Sequence, residues 1–142
     1  MFFIGLFILL VMKYSQSIGI IAAICLVFLC FHPWCTVDSL HIVLTGRDGR
    51  VNENLNFGKQ IIPQTFFSIL MVICFATPRV WAKRTNIFVC FMNLGWALKN
   101  YILFSLCRTG VCPTIQPALY AILGLSVLIQ VMSLLPSLKL KK

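Results

Sequence analysis

The stretch IGIIAAICLVFLCF, residues 18–31, contains no charged side chain and decides the class of protein. It is the core of an apolar run over residues 14–34, close to the roughly 20 residues with which a helix crosses the hydrocarbon layer. Runs of similar length follow at residues 61–80, 86–107 and 115–135. A segment in lipid must satisfy its backbone hydrogen bonds internally, so helices are expected. The pattern predicts four transmembrane helices.

The composition of the whole chain leads to the same class. Its 142 residues are 60% hydrophobic and 11% charged, with a mean hydropathy of +0.95, whereas soluble domains are about 25% charged. Soluble enzymes, disordered tails and disulfide scaffolds are therefore excluded. We predict an all-α membrane protein, a single four-helix transmembrane domain over residues 1–142 with a small extracytoplasmic β-hairpin in the outer loop 36–60.

The cations predict the orientation of the chain. Twelve Lys and Arg oppose three acidic residues, a formal charge of +9. With four spans, one side receives cations without any acid: Lys13, Arg79, Lys83, Arg84, Lys139, Lys141 and Lys142. The other side receives Arg47, Arg50, Lys59 and Arg108 together with Asp38, Asp48 and Glu53. Short loops rich in Lys and Arg stay in the cytoplasm. We therefore expect a multi-pass protein of a bacterial inner membrane with both termini cytoplasmic, and no nucleic-acid partner.

The first residues are unusual because FFIGLFILLVM, residues 2–12, is apolar but too short to span a membrane alone. It predicts either a long first helix or a short segment at the interface. An apolar turn that lipid does not require could also dock on a neighbouring subunit. Neither a basic leading region nor a small-residue cleavage site is present, so a removable signal peptide is not expected.

The outer loop favours a small ordered element. Residues 40–45 favour a strand, the Asp48-Gly49 pair suits a tight turn, and residues 51–57 alternate between apolar and polar side chains. This pattern predicts a hairpin, with a disordered polar loop as the alternative. Because a two-stranded hairpin alone is marginal in water, it should lie on the outer helix ends or on a partner.

Three of the seven cysteines lie at the predicted outer face. Cys107 and Cys112 bracket a short turn and predict a disulfide if that face is the periplasm. His32 and Cys35 could join them as mixed nitrogen and sulphur ligands, but the spacing is not that of a metal site and no metal is expected. The helix count and outward cysteines are similar to the four-helix membrane thiol oxidoreductases of the DsbB and vitamin K epoxide reductase (VKOR) kind. That resemblance implies quinone-linked thiol oxidation, although this chain contains no Cys-x-x-Cys motif.

The third span carries the sharpest anomaly, Lys99. A lysine near the centre of a span costs on the order of 3 kcal/mol, and none of the predicted spans contains an acid. Asn86, Asn93 and Asn100 recur every seven residues beside it, as polar residues do where helices hydrogen-bond in lipid. Amides of the same chain could satisfy the lysine, for which Gln64, Gln116 and Gln130 are available. A carboxylate of another subunit, an anionic lipid or a quinone-like ligand could do so instead, and we predict a partner- or lipid-binding site at Lys99, Asn93, Asn100 and Asn86.

The motifs of phosphate-binding, nucleophilic and zinc-dependent enzymes are absent from the sequence. We therefore expect no enzymatic activity and no cofactor. The leading hypothesis is a non-catalytic accessory or structural subunit of a larger inner-membrane complex, with other membrane subunits and lipids as partners. The alternatives are a membrane thiol-disulfide and quinone redox protein, and a protein that handles lipids or small solutes.

Overall fold

Four α-helices make up most of the part of the chain that the structure describes. The computed structural model describes residues 1–53, 55–107, 110 and 112–135, and it is 71% helical. The helices are α1 (Phe2–Leu29), α2 (Ile61–Ala76), α3 (Val80–Ser105) and α4 (Pro117–Leu134). They lie side by side, with α1 and α3 each packed against both α2 and α4.

The helices differ in their fitness to cross a membrane. By length and composition, α3 and α4 are long and apolar enough. Helix α1 adds a third candidate if its parts Phe2–Val11 and Lys13–Leu29, bent by 62° relative to each other, form one broken span. Helix α2 is apolar but shorter. Two candidate spans fit a membrane protein.

The helix ends differ from the predicted spans where prolines intervene. Helix α1 includes residues 2–12 and ends at Leu29, because Pro33 cannot continue a helix and begins a strand instead. Helix α2 ends at Ala76, since Thr77 precedes Pro78 and is extended. Helix α3 begins at Val80 rather than residue 86, and α4 begins with Pro117 in its first turn, a position that proline favours.

Short strands cover one end of the helices. They are β1 (Pro33–Val37), β2 (Ile42–Thr45), β3 (Arg50–Asn52), β4 (Leu55–Asn56) and β5 (Thr114–Ile115). An antiparallel sheet has the order β2-β1-β5, so that Cys35 lies between Leu44 and Ile115. Strands β3 and β4 form a separate pair. We call residues 30–53, 55–60 and 112–116 the outer cap.

The predicted hairpin is wrong in its pairing. Strand β2 pairs with β1, not with residues 51–57, and the β1–β2 connection runs through a 3₁₀ turn (Asp38–Leu40) that ends with His41 at a positive φ of 51°. The physical reason is burial: β1 covers the helix ends with three of its side chains, and its neighbour β2 completes that layer. Asn54, part of the predicted alternation, lies outside the described residues.

Trp34 is the centre of the outer cap. Its side chain is fully buried, and its ring meets Phe104 of α3 edge-on, with 5.4 Å between ring centroids. The Trp34 Nε1–H donates to the carbonyl of Leu29 at 2.9 Å. Phe57 also packs against Phe104, at 5.1 Å between ring centroids. The cap is therefore joined to the helices by an aromatic cluster.

Candidate functional site

The three asparagines of α3 face the inside of the helical assembly. Its buried positions follow a three- and four-residue spacing, which places them on one face of a helix. They are Ala82, Asn86, Val89, Cys90, Asn93, Ala97, Asn100 and Phe104. All three asparagines of the predicted site therefore point toward the neighbouring helices.

Asn93 links three helices through its side-chain amide. Its Oδ1 accepts a hydrogen bond from Nε2 of Gln64 on α2 at 2.8 Å, and its Nδ2 donates to Oγ of Ser126 on α4 at 3.2 Å. The Ser126 hydroxyl in turn donates to the carbonyl of Ile122 at 2.8 Å. All three side chains of this polar chain are buried. A buried amide placed in this way fixes the rotation and register of the helices that it joins.

The other two asparagines are used differently. Asn86 Oδ1 accepts from the thiol of Cys90, one turn further along α3, at 3.5 Å. Asn100 is buried, yet neither its Nδ2 nor its Oδ1 has a hydrogen-bond partner among the described residues. An unsatisfied buried amide is costly. Asn93 thus links α2, α3 and α4, whereas the bond of Asn86 stays within α3 and Asn100 makes no side-chain hydrogen bond with the described residues.

Lys99 does not share the asparagine face. It is exposed, and its Nζ lies 3.9 Å from the centroid of the Trp96 ring, one turn toward the N-terminus of the helix. Consecutive residues of an α-helix are about 100° apart, so Lys99 points away from the face of Asn100. Cation–π contacts reach about 2 kcal/mol when desolvated, which offsets part of the cost of a lysine in lipid. The structure therefore separates the predicted site into two parts. One is the buried asparagine face, where Asn93 bonds with Gln64 and Ser126 (the amide chain), and the other is the exposed Lys99.

The cysteines also fall into two groups. A disulfide joins Cys107 and Cys112, which are both exposed. Cys35 is free and fully buried between two neighbouring strands, and burial raises the pKa of its thiol from 9.0 to about 11. A reactive thiol needs an accessible thiolate, so Cys35 is poorly suited to exchange electrons with the disulfide. Within the described part of the chain, no three His, Cys, Asp or Glu side chains are grouped as a metal site.

We expect Cys35 to resist labelling by a water-soluble maleimide in the folded protein. At pH 7 only about 0.01% of a thiol with a pKa near 11 is ionised, against about 3% of a solvated cysteine, and burial slows its reaction further. Raising the pH increases the ionised fraction about tenfold per unit until the pKa is reached. The measurement is the mass added to the proteolytic peptide that contains Cys35, over time at pH 7 and pH 9, because Cys25 is also free and is exposed.

The matched control is the Cys107→Ser variant, which frees the exposed thiol of Cys112. This variant should gain one rapidly labelled site at pH 7 while Cys35 remains unmodified. Rapid modification of Cys35 in the folded wild-type chain would show that the thiol is accessible.

A basic groove in the outer cap was not predicted from the sequence. It has a volume of about 1050 Å³ and lies between the β2–β3 connection, the residues before α2 and the first turn of α2. Its lining side chains include Arg47, Arg50 and Lys59, with Asp48 as the acid. The sequence signal was the density of cations in residues 47–59, which the charge count assigned to topology alone.

Comparison with protein-family models, with curated proteins and with solved structures finds no match to this chain.

Proposed function

We propose that this protein is a four-helix, multi-pass protein of a bacterial inner membrane and a non-catalytic accessory subunit of a larger complex. The observation that carries the proposal is the first third of α1, an apolar helical segment that its own chain leaves exposed. The proposal takes both termini as cytoplasmic and the outer cap as facing the periplasm.

The surfaces of α2, α3 and α4 support a lipid environment for these helices. Large apolar side chains are exposed on the outward faces of three helices: Phe66, Ile69 and Ile73 on α2, Phe88 and Phe91 on α3, and Val127 and Val131 on α4. Folded domains in water rarely expose this much contiguous apolar surface. Helix α2 is about 24 Å long at 1.5 Å per residue. A slightly short span is accommodated by local thinning of the bilayer.

The ends of the helices support the orientation. Lys83 lies in the first turn of α3, where its Nζ donates to the carbonyl of Leu135 at the end of α4 at 2.6 Å. Lys13, Arg79 and Arg84 belong to the same end of the antiparallel helices, which is the end without acidic residues. A cation at a helix C-terminus is also favourable for the helix dipole.

The start of α1 is exposed far more than packing in one chain requires. Its apolar side chains are between 47% and 90% exposed: Phe2, Phe3, Ile4, Leu6, Phe7, Ile8, Leu9 and Leu10. The segment has no polar face, so it does not suit the surface of a bilayer, where amphipathic helices lie. It is also too short to span. A β-carbon added at Gly5 would meet nothing within 4 Å, and small residues let a second helix approach closely. These features favour contact with a membrane helix of another subunit.

The test is photo-crosslinking in the intact membrane. Benzoylphenylalanine placed at Phe3 should give an adduct with a second membrane protein, identified by mass spectrometry. The same residue placed at Phe91, which is also exposed but lies in the middle of α3, should give lipid adducts. Native mass spectrometry in mild detergent should show the 16.1 kDa chain in a larger assembly, which deletion of residues 2–10 dissociates.

Two outcomes would overturn the proposal. One is lipid as the sole product at Phe3, together with a chain that migrates as a lone monomer. The other is an adduct between two copies of this chain with no other protein, since that result would define a homo-oligomer and not an accessory subunit.

A further inference from the structure

We propose that the basic groove of the outer cap binds the phosphate headgroup of an anionic phospholipid of the outer leaflet. This inference rests on the proposed membrane placement but not on any partner subunit. The shared chemistry is a phosphate anion next to hydrocarbon.

The groove carries a surplus of positive charge. Arg47, Arg50 and Lys59 contribute three cations and Asp48 one anion, so the groove has a net charge of +2. Their side chains form no ion pair with any residue that the structure describes. Asp48 Oδ1 instead accepts a hydrogen bond from the backbone N–H of Arg50 at 3.2 Å. Glu53, the next acid along the chain, lies between β3 and β4 and does not line the groove. The two guanidinium groups therefore remain available for an oxyanion.

The walls of the groove are held by backbone hydrogen bonds. The N–H of Phe57 donates to the carbonyl of Gly49 at 2.9 Å, and the N–H of Ile61 donates to the carbonyl of Gly46 at 2.8 Å. A β-carbon at Gly49 would lie 2.6 Å from the carbonyl oxygen of Gly58, so this close crossing requires glycine. Because these bonds bring residues 46–50 and 57–61 together, Lys59 is held beside the two arginines before a ligand arrives. Preorganisation of this kind reduces the entropic cost of binding.

The groove combines charged and apolar lining residues, as a site for a phospholipid requires. Its apolar lining residues are Phe31, Ile61 and Ile62, of which Phe31 and Ile62 are more than half exposed. These residues lie where α1 ends and α2 begins, which is the outer boundary of the proposed spans. A phosphodiester above this boundary could accept paired hydrogen bonds from arginine, while its acyl chains would cover the apolar residues. Inorganic phosphate would leave that apolar side uncovered, so the lipid is the ligand that uses the whole groove.

The experiment measures lipid retention by the full-length chain with native mass spectrometry. Phosphatidylglycerol and phosphatidylcholine with the same acyl chains are compared at equal concentrations. The wild-type protein should retain phosphatidylglycerol preferentially. Arg47→Gln combined with Arg50→Gln should weaken that retention about tenfold or more, since each cation near an anionic headgroup contributes a measurable share of the attraction. Lys59→Gln should weaken it less.

The control variant is Arg79→Gln combined with Arg84→Gln, which removes the same charge at the opposite end of the helices. Its lipid preference should equal that of the wild type. Equal retention of the two lipids, or equal losses in the two double variants, would overturn the proposal. Displacement of the lipid by millimolar inorganic phosphate would also overturn it, because it would assign the groove to a soluble anion. A failed partner crosslink at Phe3 has no bearing on this result.

Discussion

The variant Trp34→Ala is expected to lower the free energy of unfolding by about 3–5 kcal/mol, the range found when a large buried aromatic residue is truncated. Three contacts of Trp34 are lost together: the edge-on packing against Phe104, the hydrogen bond to the carbonyl of Leu29 and the contact with Gly46. The strand that carries Trp34 is central in its sheet, so β2 and β5 should loosen with it. The measurement is unfolding by SDS titration in mixed micelles, followed by circular dichroism.

Trp81→Ala is the matched control, because Trp81 is 57% exposed whereas Trp34 is fully buried. We expect a change within about 0.5 kcal/mol for this exposed position. A second pair of variants tests the same contact from the opposite side. A β-carbon at Gly46 would lie 2.5 Å from Cζ2 of Trp34, whereas one at Gly124 would meet nothing within 4 Å. Gly46→Ala should therefore cost about 1–3 kcal/mol, and Gly124→Ala should be neutral or stabilising. Equal unfolding midpoints for Trp34→Ala and Trp81→Ala would contradict the role of the cap.

The sequence predicted the helical content better than the ends of the helices. A long apolar segment in apolar surroundings must satisfy its own backbone hydrogen bonds and therefore forms a helix. Each predicted span accordingly overlaps one helix of the structure. The apolar run over residues 14–34 did not reveal β1, however. Trp34 is a large apolar residue, and such a residue suits a buried strand as well as a membrane span. Its pairing partners are β2 and the two-residue β5, which lies about eighty positions later in the chain. Strand pairing of that kind depends on tertiary packing and is not encoded in local periodicity.

The candidate sites show the same limit. The seven-residue spacing of the three asparagines placed them correctly on one face, and the helical angle between neighbours separates Lys99 from them. The hydrogen-bond partners of Asn93, Gln64 and Ser126, are 29 and 33 positions away in the sequence. The sequence alone does not show which of the polar residues on other helices would pair with Asn93. The groove was missed because the distance between Arg50 and Lys59 is set by a backbone hydrogen bond from Phe57 to Gly49. Charge counting carries no information on such a contact.

The variant Asn93→Ala is expected to lower the free energy of unfolding by about 2 kcal/mol. It removes two interhelical hydrogen bonds, each worth about 0.6 and at most about 1.7 kcal/mol in a membrane protein. It also leaves Nε2 of Gln64 without a partner, next to an Oε1 that already has none among the described residues. SDS titration in mixed micelles measures the change.

Asn100→Ala is the matched control, because Asn100 lies one heptad further along the same buried face but makes no side-chain hydrogen bond in the described structure. Removal of an unsatisfied amide offsets the loss of packing, so this variant should cost clearly less than Asn93→Ala. A double-mutant cycle of Asn93→Ala with Gln64→Ala then isolates the bond between α2 and α3. We expect a coupling energy between about 0.5 and 1.7 kcal/mol. Additive losses in the cycle, or equal losses at Asn93 and Asn100, would show that the amide chain does not hold the helices together. The inward face of α3 would then owe its stability to the apolar residues beside the asparagines.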